Sequence, residues 1–222
     1  MYVIEGLLSG EQIANILAAL TDADFNDGNR TTTNASERLK HNLELRADAN
    51  RERLGKMVLQ AVHTNAQLQS IALPSRYSFP MFSKYIPGMY YDFHTDAGLI
   101  NLGSPTALRS DLSCTVFLAA PETYDGGELT VKSINGTNQW KLPAGSAVLY
   151  RTSDLHRVET VTRGARLATV FWIQSHIRDL AQRELINRLN TACLALAKEG
   201  THKAESDLIS STIHDLIRMW AA

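Results

Sequence analysis

The sequence predicts an α+β protein, with a double-sheet jelly-roll core between an N-terminal helical layer and a C-terminal helical extension. Three observations lead there. Helical apolar spacing governs the first 70 or so residues. Eight short β-like runs separated by explicit turn signals then occupy about 100 residues. Helical spacing returns after Ile173. An immunoglobulin-like sandwich or another barrel fits the strand count as well.

Ser9 followed by Gln12 is a capping-box signal, and Ile13, Ile16, Leu17 and Leu20 give the first helix one apolar face. Residues 21–46 are polar, with Asp27-Gly28 as a turn signal. A second helix is expected over 49–70, with Leu54, Met57, Val58, Ala61 and Val62 inward. From Pro74 the pattern changes. The expected strands are Tyr77–Tyr85, Tyr90–His94, Leu112–Ala119, Glu128–Val131, Gln139–Leu142, Ala147–Tyr150, His156–Val161 and Arg166–Ile173. Pro87-Gly88, Gly126-Gly127, Asn135-Gly136, Pro143-Ala144-Gly145 and Gly164 divide them. Ser175 is the expected cap of a helix carrying Leu180, Leu185, Leu189, Leu194 and Leu196. Gly200 stops it, and a last helix over 203–220 offers Leu208, Ile213, Leu216, Ile217 and Trp220 for packing. The chain divides into a support region (1–75), a core (76–175) and an extension (176–222). For the extension three roles stay open: covering the barrel, forming a small bundle, or making a homo-oligomer contact.

Composition narrows the function classes. The 222 residues are 44% hydrophobic and 20% charged with a net charge of −1, which carries no electrostatic footprint for nucleic acid or an anionic membrane. No apolar run approaches the 18 or so residues a membrane span needs. The start, MYVIEGLLSGEQ, does not read as a signal peptide. Two cysteines, Cys114 and Cys193, are too few for a disulfide framework and are expected as buried thiols. The expectation is a cytoplasmic protein.

The chemistry concentrates in His94-Thr95-Asp96, His156 and Arg166. A His-x-Asp triplet alone is weak, since about 0.4 would arise by chance at this composition. Placement strengthens it. Residues two apart at a strand end share a face, and His156 opens a later strand of the same sandwich. Two histidines and a carboxylate on one side of a metal leave the opposite positions open, the arrangement of non-haem Fe(II) oxygenases. Zinc could use the same ligands. Arg166 argues otherwise. It begins a run, Arg166–Ile173, that looks buried, and a buried guanidinium needs an anionic partner. Its planar fork matches a carboxylate such as the far end of 2-oxoglutarate.

These residues carry a family resemblance. Tyr85-x-x-Gly88-x-x-Tyr91-x-x-His94-x-Asp96 resembles the prolyl and lysyl hydroxylase branch of the Fe(II)/2-oxoglutarate dioxygenases. Ser113–Leu118, Asp125-Gly-Gly-Glu-Leu129, Pro143-Ala-Gly145, His156 and Arg166 agree with it. Leu43-Glu-Leu45, Phe171–Ser175 and Arg178-Asp-x-x-Gln-Arg-Glu184 make the whole chain similar to the bacterial PKHD-type hydroxylases. The resemblance implies a double-stranded β-helix core, Fe(II) held by His94, Asp96 and His156, and the 2-oxoglutarate C5 carboxylate held by Arg166. Many prolyl hydroxylases have lysine at that last position; the closer bacterial group shares the arginine. Tyr85 matches a tyrosine that supports 2-oxoglutarate, and Ser113 aligns with a threonine that hydrogen-bonds the same carboxylate. L-Ascorbate (vitamin C) is a reductant commonly attached to this branch, and no residue here shows a site for it.

The expected activity is O₂- and 2-oxoglutarate-dependent hydroxylation of an unidentified substrate, peptidyl or small, with release of succinate and CO₂. Asp96 argues against a halogenase, which needs that ligand position for halide. A metal- and 2-oxoglutarate-binding sensor without turnover and a cupin-like zinc or manganese enzyme are the alternatives. The stretch at 28–36 is expected as a solvated loop rather than a lid, and Leu99–Pro105 as the segment that shapes the pocket.

Overall fold

The structure, a computed structural model, describes residues 1–28, 39–134 and 136–221. The stretch read as a loop at 28–36 falls outside the described residues from position 29 onward, as does Asn135 of the expected turn. The N-terminal part holds β1 (Tyr2–Ile4), α1 (Gly10–Thr21), β2 (Phe25–Asp27), β3 (Lys40–His41), β4 (Leu43–Leu45), α2 (Ala49–Thr64) and α3 (Ala66–Ala72). The middle holds β5 (Pro74–Tyr77), β6 (Met81–Tyr85), β7 (Tyr90–His94), β8 (Leu99–Ile100), β9 (Leu108–Arg109), β10 (Leu112–Phe117), β11 (Tyr124–Asp125), β12 (Leu129–Ser133), β13 (Gly136–Trp140), β14 (Ala147–Arg151), β15 (Leu155–Val158), β16 (Arg163–Gly164) and β17 (Arg166–Ser175). Two helices follow, α4 (Leu180–Glu199) and α5 (Lys203–Trp220).

The helices begin where side chains can satisfy their free N–H groups. At α1 the Gln12 N–H donates to Ser9 Oγ at 3.2 Å, and the Ser9 N–H donates to Gln12 Oε1 at 2.8 Å, closing the expected capping box. The helix expected over 49–70 is two helices. Asn65 ends α2 in an extended conformation and caps α3, its Oδ1 accepting from Leu68 N–H at 2.8 Å. The cap of α4 is Asp179, not Ser175. Ser175 is still the last residue of β17, because its N–H is held by Asp111 Oδ2 at 2.9 Å.

Two antiparallel sheets form the core. The larger runs β1-β14-β10-β17-β6-β4-β2, with β5 also on β17; the smaller runs β13-β12-β15-β7-β3. Helices α1–α3 cover the outer face of the larger sheet. Ile16, Leu54, Val58 and Leu68 pack there against Cys114, Val116, Leu149 and Phe171, all fully buried. Each such side chain contributes about 1.5–3 kcal/mol relative to exposure. Between the sheets, Phe117, Val148 and Tyr150 from the larger meet Leu129 and Val131 from the smaller. This face-to-face packing is the jelly-roll core, and the site lies inside it.

Several elements differ from expectation. The N-terminal region is not only helical. It adds β1, β2 and β4 to the larger sheet and β3 to the smaller. The single strand expected over Tyr77–Tyr85 is broken before Met81, where Pro80 has no N–H for a ladder. The C-terminal pair packs on itself and on α3, with Ile177, Ile186 and Ile213 buried beside Leu73 and Trp220. Asn190 Nδ2 donates to Ser70 Oγ at 2.7 Å across that contact. Leu208, expected to pack, is exposed, as is Leu194. Both cysteines are free; Cys114 is buried, but Cys193 is only partly so. Among the described residues no helix is long and apolar enough to cross a membrane.

Candidate metal centre

His94 ends β7 and His156 lies directly opposite it on β15. Residue parity then places Asp96, two residues on, toward the same side. The three side chains offer ligand atoms that all lie within 4.8 Å of one another, and among the described residues this is the one such cluster of His, Cys, Asp and Glu. Asp96 Oδ1 is 3.8 Å from His94 Nε2, and Oδ2 is 3.6 Å from His156 Nε2.

Each of the three side chains is held by a second contact. His94 Nδ1 is 2.7 Å from the Asp92 carbonyl, and His156 Nδ1 is 2.9 Å from the Asp154 carbonyl. A carbonyl only accepts, so each Nδ1 carries the proton and each Nε2 keeps its lone pair for a metal. Burial, then the neighbouring His156, pushes the His94 imidazole down to about 4, so it is neutral at neutral pH. Asp96 is anchored through its N–H to the Thr152 carbonyl at 3.3 Å and through Oδ2, which accepts from Ser113 Oγ at 2.7 Å.

The pairing of β7 with β15 explains a further contact. His156 faces His94 but Val158 faces Tyr91, so β7 carries one extra residue, a β-bulge. In a regular strand residues 91 and 94 would point to opposite faces. The bulge brings both inward, and the Tyr91 ring stacks on the His94 imidazole with centroids 3.6 Å apart and planes 11° apart. Phe93 is left on the outer face between Lys132 and Arg157, whose charges sit 4.0 and 4.6 Å from its ring centre.

Arg166 is buried between the sheets. It is 1% exposed, pairs across the sheet with Tyr85, and lies 5.2 Å from the Tyr85 ring and 5.6 Å from the Phe117 ring. Its Nε and Nη2 are buried with no hydrogen-bond partner among the described residues. Those two atoms form one edge of the guanidinium, the edge that grips a carboxylate with two parallel bonds. Burial pushes the Tyr85 hydroxyl up to about 12 against the opposing pull of Arg166, so it stays protonated.

Ser113 is hydrogen-bonded to the His94–Asp96–His156 cluster. It shares the inward face of β10 with Phe117, but it stands four residues, about 14 Å, toward the metal end. Its hydroxyl donates to Asp96 Oδ2 and stands 3.2 Å from Thr152 Oγ1. The donor set, two imidazoles and a carboxylate with an unpartnered guanidinium edge in the same sandwich, fits Fe(II) and a dicarboxylic keto acid.

Residues 80–174 match the 2OG-Fe(II) oxygenase superfamily. Over the whole chain, a PKHD-type hydroxylase of Janthinobacterium sp. (strain Marseille) is 40% identical, covering 100% of this chain and 99% of its own length. One from Stenotrophomonas maltophilia (strain R551-3) is 38% identical across 98% of this chain and 97% of its own. The chain belongs to the PKHD-type hydroxylases. It is an Fe(II)- and 2-oxoglutarate-dependent dioxygenase that hydroxylates a substrate still to be identified. Its fold is that of a solved Pseudomonas putida prolyl-4-hydroxylase, with a TM-score of 0.56 at 17% identity over 78% of this chain and 91% of that one.

In this PKHD-type hydroxylase the structure brings His94, Asp96 and His156 together and sets Arg166 beside Tyr85. Sequence reasoning assigned no role to Tyr91, Thr152 or Tyr124. Tyr91 stood in the quoted motif without a role; regular strand parity would place it on the face opposite His94.

Proposed function

We propose that His94, Asp96 and His156 are the Fe(II) ligands and that Arg166 binds the C5 carboxylate of 2-oxoglutarate. The observation that carries this is the buried, unpartnered Nε/Nη2 edge of Arg166. A cation enclosed by Tyr85 and Phe117 is costly without an anion, and a diacid reaching inward from the triad supplies one. Fe(II) held by the triad supplies the family's O₂ chemistry, which couples decarboxylation of 2-oxoglutarate to succinate with hydroxylation of a substrate C–H bond.

The protein's own residues fix and exclude. The Asp92 and Asp154 carbonyls hold the imidazole tautomers, and Ser113 and Thr152 orient Asp96. Tyr85 walls the co-substrate beside Arg166, and Ser113 acts on it only through Asp96. At the mouth, the β8–β9 hairpin supports the expected role of Leu99–Pro105 in shaping the substrate pocket. Arg76 clamps its base through the Ala107 carbonyl at 2.8 Å, while Leu99 and Leu102 remain exposed toward an incoming substrate. The two free cysteines support a cytoplasmic setting.

The test is succinate release. Protein reconstituted with Fe(II) and supplied with 2-oxoglutarate, O₂ and cell extract is expected to form succinate and to place one ¹⁸O atom from ¹⁸O₂ on a single extract component. No succinate, or as much from Asp96→Ala, refutes the assignment.

A further inference from the structure

A second unpartnered polar group lies beside Arg166. Tyr124 is 1% exposed, and its hydroxyl is enclosed with no hydrogen-bond partner among the described residues. The rest of the residue is firmly placed. Its backbone pairs with Gly164, its carbonyl accepts from Lys141 Nζ at 2.7 Å, and the same Nζ sits 4.4 Å from the ring centre.

Tyr124 and Arg166 meet at Gly127. A Cβ added there would lie 3.0 Å from Arg166 Cδ and 3.2 Å from Tyr124 Cε2, so the two side chains close on the same point from different sides. Gly127 has φ +69° and no side chain, and that is what lets them approach. Burial pushes the Tyr124 hydroxyl up from its ordinary value, so it remains a donor, and the Arg166 charge is close enough to oppose that shift. Two buried groups that must donate thus belong to neighbouring side chains, each without an acceptor among the described residues. Phenylalanine would fill the same volume without an enclosed hydroxyl.

We infer that the Tyr124 hydroxyl is a second anchor for the C5 carboxylate of 2-oxoglutarate, donating to it beside the Arg166 fork. The inference rests on the proposed role of Arg166. A carboxylate has enough lone pairs for both, and the tyrosine gives the cavity a donor where the neighbouring Phe117 has none. Tyr124 is a co-substrate-binding residue and takes no part in proton transfer.

The test is equilibrium binding to the Mn(II)-loaded protein, by calorimetry, for the wild type, Tyr124→Phe and Arg166→Met. The ligands are 2-oxoglutarate and 2-oxobutanoate, which keeps the keto-acid head and lacks the distal carboxylate. Tyr124→Phe is expected to weaken 2-oxoglutarate about tenfold to a hundredfold, as for one hydrogen bond to a charged group, and to leave 2-oxobutanoate unchanged. Without ligand it should melt no lower than the wild type. The wild type gives an independent readout: its near-ultraviolet tyrosine band should shift with 2-oxoglutarate and not with 2-oxobutanoate. Unchanged 2-oxoglutarate affinity, equal weakening of both ligands, or no tyrosine shift overturns the inference. If Arg166→Met loses 2-oxoglutarate while Tyr124→Phe does not, only the tyrosine assignment falls. If neither variant weakens it, the Arg166 assignment falls too.

Discussion

Replacing Ser113 by alanine separates two roles that the same residue could have in this enzyme. Ser113 is fully buried, and its Oγ donates to Asp96 Oδ2 at 2.7 Å with Thr152 Oγ1 3.2 Å away. A hydrogen bond to a charged group contributes roughly 1.5–3 kcal/mol. Thr152 already holds the Asp96 backbone and its hydroxyl stands nearby, so the loss should fall at the low end, about 1.5 kcal/mol. That corresponds to about tenfold weaker metal binding, within the range for residues that orient a metal ligand. The assay is anaerobic titration of Fe(II) against a competing chelator, followed by titration of 2-oxoglutarate at saturating metal. Metal affinity should drop and 2-oxoglutarate affinity should stay within about twofold. The opposite pattern, metal affinity intact and 2-oxoglutarate weakened, would mean that Ser113 touches the co-substrate and that its placement by strand position is wrong.

Other perturbations give equally distinct outcomes. Arg166→Met should weaken 2-oxoglutarate by about a hundredfold or more, from two lost charge-assisted bonds, yet leave the ligand-free protein as stable or more so because a buried unpaired cation is gone. Calorimetric binding and thermal melts read the two signs separately, and retained binding with a lower melting temperature contradicts the reasoning. Gly126→Ala should destabilise by about 3 kcal/mol or more in denaturant unfolding, since its Cβ would lie 2.0 Å from the Thr160 carbonyl oxygen at φ +71° and a backbone atom cannot swing aside. A change under about 1 kcal/mol would show that this turn is looser than drawn.

The parts of the site legible in the sequence follow simple counting. His94 and Asp96 sit two apart, His156 opens a strand, and Arg166 heads a run too apolar to be solvated. What escaped counting was distance along a strand and breaks in its period. Ser113, Thr115 and Phe117 share one face by parity, but parity does not say which end of the cavity each reaches. Tyr91 would be turned the wrong way by parity alone, because no residue type announces the bulge after it. Likewise β2 and β4 were hidden in a mostly polar stretch where Phe25, Leu39, Leu43 and Leu45 are the only large apolar residues, and β2, at the sheet edge, is half solvated. The break at Asn65 was masked because helical spacing continues through α2 and α3, although Asn65 is itself a capping residue.

The extra residue in β7 makes chain length a constraint of its own. Asp92 is exposed, so its identity is loosely held by packing. Its presence is another matter. Removing one residue between Tyr91 and His94 would restore an even rhythm: both side chains would still face inward, but two residues on one face of a regular strand stand about 7 Å apart, well beyond the 3.6 Å of the stacked rings. In aligning relatives, a gap in these four positions therefore bears on whether the tyrosine can back the imidazole, not on which way either side chain faces.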